Sequence, residues 1–170
     1  RNYRVQLVLE RITGLSQEPS FQSADMQRGI DREAEALGRY EAVTGTLVRR
    51  TGFLAHDELM TGASLDGDID ECLGIVEAKC PKPAVHLDYL RSQRVPAPYL
   101  AQIHHALWLT GADWADFLSY CPEFPAPLDV SLSHLPANPE ALAQHENSLR
   151  LFLAEIEAEV AFVKGLAAYG

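Results

Sequence analysis

The stretch LGIVEAK, residues 73–79, constrains this chain more than any other. It reads as a strand, and Pro81 and Pro83 stop it from running further. Strand alternation sends Ile75, Glu77 and Lys79 to one side of a sheet and Gly74, Val76 and Ala78 to the other. An acid and a base therefore leave the same face at a strand end.

Turn residues punctuate three further strand candidates before it, at residues 46–50, 53–56 and 63–66, and two lie beyond it, at 114–120 and 128–134. Helical spacing marks residues 3–12, closed by Gly14. A long helix follows, with Ser23 as N-cap and Asp25 in its first turn, running to Val43 and closed by Thr44 and Gly45. Helices are also expected at 85–92, at 99–110 before Gly111, and from Asn138 and Pro139 to Leu166. The order predicts a mixed α/β or α+β fold with no internal repeat.

On the long helix Met26, Ile30, Leu37 and Tyr40 form one apolar stripe, in which Glu33 fills the vacant position. Glu33 should therefore point inward, and Arg32, Glu35 and Arg39 outward. A carboxylate on that face is costly unless paired, and Arg4 or Arg11 would be partners.

At 170 residues and 18.8 kDa the chain has room for one domain, not two independent enzymes. With 47% apolar and 22% charged residues it excludes a disordered or low-complexity chain. No run approaches the ~20 apolar residues that cross a bilayer, and no signal segment opens it, so a soluble, cytoplasmic protein without a membrane partner is expected. The chain opens at Arg1 without methionine, and an upstream segment is expected. Cys72, Cys80 and Cys121 have no CxxC or Cys/His spacing; a four-thiolate site is excluded and a reducing compartment expected. The net charge of −10 argues against a broadly basic nucleic-acid surface. Residues 1–112 carry 12 Lys/Arg against 15 Asp/Glu, and residues 113–170 carry 2 against 9, so any polyanion belongs on the first two thirds.

Asp66 in GASLDGD, the Glu77 and Lys79 pair, and the inward Glu33 together suit a hard divalent cation. Carboxylates from adjacent strands and a strand-end carbonyl would hold it, while the lysine orients water. That is the chemistry of phosphodiester hydrolysis. Each feature alone has a plainer reading: an exposed ion pair for Glu77 and Lys79, a turn for Asp66 and Gly67, a salt bridge for Glu33.

Together, the motifs resemble the PD-(D/E)xK nucleases, and within them the phage lambda exonuclease and YqaJ-like viral recombinase group. GIDREAEALGRYEAVTG resembles the family's helix with a glutamate four residues after glycine. GFLAHDELMTGASLDG resembles its strand pair ending in Ser-Pro-Asp-Gly, with Leu65 in place of the proline. GIVEAKCP matches its Glu-x-Lys-Cys-Pro strand, and YLAQIHHALWLTGADWADFLSY its Ala-Gln helix and aromatic strand. The resemblance implies a restriction-endonuclease-like core, a mixed central sheet flanked by helices, forming one nuclease domain over residues 1–170. It further implies a Mg²⁺-dependent enzyme, with Mn²⁺ able to substitute, that digests one strand of linear double-stranded DNA from the 5′ end and leaves 3′ tails. A ring-shaped homotrimer, a phage-type single-strand annealing partner, and a bacterial or phage-infected cytoplasm go with it.

Carried onto this chain, Asp66, Glu77 and the carbonyl of Ala78 would bind the metal, with Glu33 acting through water. Lys79 would activate the attacking water and Gln102 would hold that water or Lys79, although Gln102 also reads as a polar edge of an amphipathic helix. Met26 and Arg28 would lie near the entering DNA, although by its helical spacing Met26 reads first as core. The family's segment for the 5′ phosphate has no counterpart here, so that pocket is unassigned. The alternatives are an endonuclease acting at internal or branched sites, and an inactive DNA-end-binding domain. His104 and His105, about 100° apart on a helix, cannot face one ion together, so zinc is not expected. Cys80, Trp108 and Trp114 read as packing residues.

Overall fold

Glycines in the left-handed region end helices where the sequence reading places them. α1 (Tyr3–Thr13) stops at Gly14, φ 69°, and α2 (Ala24–Thr44) at Gly45, φ 74°. The structure, a computed structural model, describes residues 3–17 and 24–166, with residues 24 and 25 as backbone only. The expected cap Ser23 lies outside the described residues.

The remaining elements, in order, are β1 (Gly52–Ala55), β2 (Gly62–Leu65), β3 (Gly67–Ile69), β4 (Gly74–Lys79), α3 (Pro83–Ser92), α4 (Ala97–Thr110), β5 (Trp114–Tyr120), β6 (Val130–Pro136) and α5 (Pro139–Leu166). The chain divides into two compact units, residues 22–145 and residues 1–21 with 146–170.

In the larger unit β1 and β2 form an antiparallel hairpin. The main sheet has the order β3-β4-β5-β6, with β4 and β5 parallel and the outer pairs antiparallel. Because β4 is flanked on both sides, its alternating residues feed two cores. Val76 and Ala78 pack with Leu118, Tyr120 and the α2 residues Ala36, Leu37 and Tyr40, whereas Ile75 packs with Phe117 and the α4 residues Ile103, Ala106 and Leu107. Each large apolar side chain buried here stabilises by about 1.5–3 kcal/mol. α3 is tied down by His86, which is wholly buried: Nε2 lies 2.9 Å from the Leu128 carbonyl and Nδ1 2.7 Å from Ser119 Oγ. A carbonyl can only accept, so Nε2 carries the proton and Ser119 donates to Nδ1. In the smaller unit Val8 is buried with Ile156 and Val160, and Arg4 pairs with Glu155 at 3.0 Å and Glu159 at 3.3 Å, while Arg11 pairs with Glu157.

Five expectations need correction. Residues 46–50 are not a strand: only Arg49 bridges, to Asp68, because Glu41 takes the Val48 N–H at 2.7 Å and holds the chain off a ladder. β3 was expected as a turn after Asp66. Residues 128 and 129 belong to a turn, with the Leu128 N–H on the Pro125 carbonyl at 2.8 Å, so β6 starts at Val130. Finally, the stripe on α2 is buried only in its second half. Leu37 and Tyr40 are core, but Met26 and Ile30 are each 57% exposed, since no sheet lies opposite them. Nor do Arg32, Glu35 and Arg39 face only water: they bond Glu123 (3.1 Å), Tyr120 (2.7 Å) and Asp129 (2.6 Å).

Candidate active site

Asp66 is the single residue between β2 and β3, the bend where the chain leaves the hairpin and enters the main sheet. Gly67, just after the bend, lets Val48 pack against the chain: a Cβ there would stand 2.2 Å from Val48 Cγ1. Since Gly67 pairs with Val76, Asp66 comes off the ladder beside the end of β4, and its Oδ2 accepts the Ala78 N–H at 2.8 Å.

Glu77 and Lys79 leave the same side of β4. Lys79 Nζ contacts Glu77 Oε1 directly, lies 3.2 Å from the Ala78 carbonyl oxygen and 4.0 Å from Asp66 Oδ2. Gln102, on α4, donates to Glu77 Oε1 at 2.7 Å. Its amide therefore meets the Glu77 carboxylate rather than Lys79, one of the two partners expected for it, the other being the attacking water. Glu33 looks into the same cavity rather than into the core. Its nearest cation is Arg50 Nη2 at 3.9 Å, not Arg4 or Arg11, which pair within the other unit.

Burial pushes the Asp66 and Glu77 carboxyls above the ordinary range, and the attraction of Lys79 only partly offsets it. Glu33 is raised likewise, by burial and then by the charge of Asp66. Burial disfavours the Lys79 ammonium, but the neighbouring Glu77 outweighs it and keeps the lysine charged. Cys80, the next residue, is buried and pushed up to about 11, which makes it a packing group and not a nucleophile.

Glu33, Asp66, Ala78, Lys79 and Cys80 border a cavity of about 530 Å³, together with Met26, Arg28 and Ile30 of α2, Lys82 and Tyr99. Met26 is thus a wall of the cavity and not core. Arg28 reaches Glu123 at 2.8 Å and the Pro81 carbonyl at 3.4 Å. Tyr99 was not anticipated: Lys79 Nζ stands 5.4 Å from its ring centroid. Its only sequence signal is position, one helical turn before Gln102. The histidines lie elsewhere: His105 Nδ1 is 3.0 Å from His145 Nε2, and His56 stacks on Trp108.

Among the described residues no three His, Cys, Asp or Glu side chains stand together as an ion-binding group. The donor set is instead two carboxylates and a carbonyl, and the Lys79 ammonium shows that Asp66, Glu77 and the Ala78 carbonyl reach toward one cation. Hard oxygens of this kind fit Mg²⁺ or Mn²⁺ rather than zinc.

A mixed sheet covered by helices, with an Asp at a bend and Glu-x-Lys at the adjoining strand end, is the PD-(D/E)xK type of nuclease fold. Residues 2–113 match the YqaJ-like viral recombinase domain, and the chain belongs to that family. It is similar to an alkaline exonuclease, LHK-Exo, from Laribacter hongkongensis: 31% identity, TM-score 0.90, covering 99% of this chain and 84% of that one. The same enzyme in complex with dAMP gives 32% identity and a TM-score of 0.90, with 99% and 85% covered. A phage-related exonuclease from Haemophilus somnus shares the fold, at a TM-score of 0.76 and 12% identity over 95% of this chain and 82% of that one. No curated protein matches. The kinship supports a nuclease role. Among the described residues no helix is long and apolar enough to cross a membrane.

Proposed function

We propose that this chain is a divalent-metal-dependent exonuclease that digests one strand of linear double-stranded DNA from the 5′ end, leaving 3′ single-stranded tails for a phage-type annealing partner. The observation that carries the reading is the approach of Asp66, Glu77 and the Ala78 carbonyl to the one Lys79 ammonium, beside a cavity that Glu33 also enters. Similarity along nearly the whole chain to an alkaline exonuclease crystallised with a deoxynucleoside monophosphate supports it.

Asp66, Glu77 and the Ala78 carbonyl would hold Mg²⁺, which supplies charge neutralisation at the phosphate and a more acidic water. Lys79 orients the attacking water with its ammonium, and Glu33 completes the acidic cluster from the cavity wall, acting on the metal through water. Gln102 fixes Glu77 Oε1. Arg28 and Lys82 carry positive charge at the cavity for the DNA backbone, and Met26 offers an apolar wall to the terminal base pair. A ring-shaped trimer working in the cytoplasm as one nuclease domain completes the proposal, with the DNA on the first two thirds of the chain, where twelve of the fourteen Lys and Arg residues lie.

The test is digestion of end-labelled linear duplex carrying a 5′ phosphate or a 5′ hydroxyl, with and without EDTA, beside a closed circular plasmid. Release of mononucleotides from 5′ ends, stopped by EDTA, with the circle intact, is expected. Cutting of the circle would make the protein an endonuclease. Equal behaviour of wild type and Lys79→Ala on linear DNA would leave a binding domain.

A further inference from the structure

Tyr99 stands in the first turn of α4, where a proline helps start the helix, and its ring rests on a buried aromatic neighbour. It stacks on Phe117, centroids 5.3 Å apart and planes 30° apart, and Phe117 in turn meets the Tyr89 ring edge-on at 5.6 Å. Phe117 is buried on β5 and pairs with Glu77 across the sheet, so the platform under Tyr99 is referenced to the same strand that carries Glu77 and Lys79. Lys79 Nζ lies over the Tyr99 ring at 5.4 Å, within the reach of a cation–π attraction.

One turn further along α4, Gln102 donates to Glu77. The helix thus meets both members of the Glu77 and Lys79 pair, the carboxylate through an amide and the ammonium through a π face. The ring is the only one of Lys79's neighbours described above that uses none of the oxygens a divalent cation would need. We infer that Tyr99 is a positioning residue: its ring face seats the Lys79 ammonium beside the carboxylates, leaving those oxygens open to the metal. The catalytic consequence rests on the exonuclease reading, but the seat itself does not.

Lys79, Lys82 and Lys164 are the chain's three lysines, so protein labelled with ¹³C-lysine gives few Cε resonances, and Lys79→Arg assigns one of them. The Lys79 Hε signals should be displaced upfield by the ring current, with a nuclear Overhauser effect to the Tyr99 ring protons. Tyr99→Leu should abolish the displacement, and Tyr99→Phe should keep it. On linear duplex DNA with Mg²⁺, Tyr99→Leu should lower kcat about tenfold with KM for DNA unchanged, and Tyr99→Phe should recover most of that loss. An undisplaced Lys79 signal in the wild type would overturn the inference, even should Tyr99→Leu fail to fold. A Phe variant as slow as the Leu variant would also overturn it, by assigning the effect to the hydroxyl. A wild type with no nuclease activity would refute the exonuclease reading while leaving the resonance comparison to decide the seat.

Discussion

Replacing Lys79 with alanine removes the ammonium that Glu77, Asp66 and the Ala78 carbonyl share, and the consequence for stability can be worked from the distances. At 4.0 Å, the separation from Asp66 Oδ2, two unit charges attract by about 4 kcal/mol at an effective dielectric of 20. The contact with Glu77 is closer still. Against this stands the cost of holding the ammonium out of water, and the Lys79 side chain keeps 26% of its exposure, which screens the pair. Breaking a well-buried pair costs about 3–5 kcal/mol, so roughly 2–3 kcal/mol is expected here, or about 4–12 °C in midpoint for a chain of this length. Without the ammonium, the two carboxyls already raised by burial repel each other unopposed. A raised folded-state pKa means stability that is complete below the unfolded carboxyl range and lost as pH rises through the folded value. Thermal unfolding in EDTA should therefore show the Lys79→Ala deficit growing from pH 5 to pH 8 and shrinking when Mg²⁺ replaces the missing charge. A midpoint equal to wild type at every pH, with no response to Mg²⁺, would refute the reasoning.

A cation at 100 times its Kd stabilises by about 2.7 kcal/mol, so Mg²⁺ should raise the wild-type midpoint by roughly 5–10 °C, and Asp66→Asn should abolish the rise by differential scanning fluorimetry. Gly67→Ala should lower the urea midpoint by the equivalent of about 1–3 kcal/mol, because the new Cβ would overlap Val48 Cγ1. Glu123 is held down at about 2 by the Cys121 thiol and the guanidiniums of Arg32 and Arg28, so its stabilisation is complete above the unfolded carboxyl range and lost as pH falls toward 2. Glu123→Gln should accordingly flatten the acid limb of a plot of Tm against pH.

Period-two alternation made the shared face of Glu77 and Lys79 legible, since it needs no knowledge of neighbours, and the glycines at 14, 45 and 111 announced helix ends through their backbone freedom alone. What lies opposite a helix face is a different matter. The spacing of Met26, Ile30, Leu37 and Tyr40 is uniform, yet the sheet covers only the last two. Arg32 and Arg39 looked solvated because their partners, Glu123 and Asp129, lie about 90 residues away in sequence. β3 is three residues long, too short to alternate, and Asp-Gly is a strong turn signal, so the bend at Asp66 was visible and the strand after it was not. Tyr99 escaped notice because a ring face becomes a cation seat only when Phe117 and Lys79, from two other elements, arrive around it.

The shared-cation claim is tested most directly by diffraction from crystals of the full chain soaked in Mn²⁺, recorded for anomalous scattering. The account predicts a peak bonded to Asp66, Glu77 and the Ala78 carbonyl oxygen, with Lys79 Nζ displaced toward the Tyr99 ring. A peak bound by other residues, or none at millimolar Mn²⁺ with Lys79 still on Glu77, would contradict it.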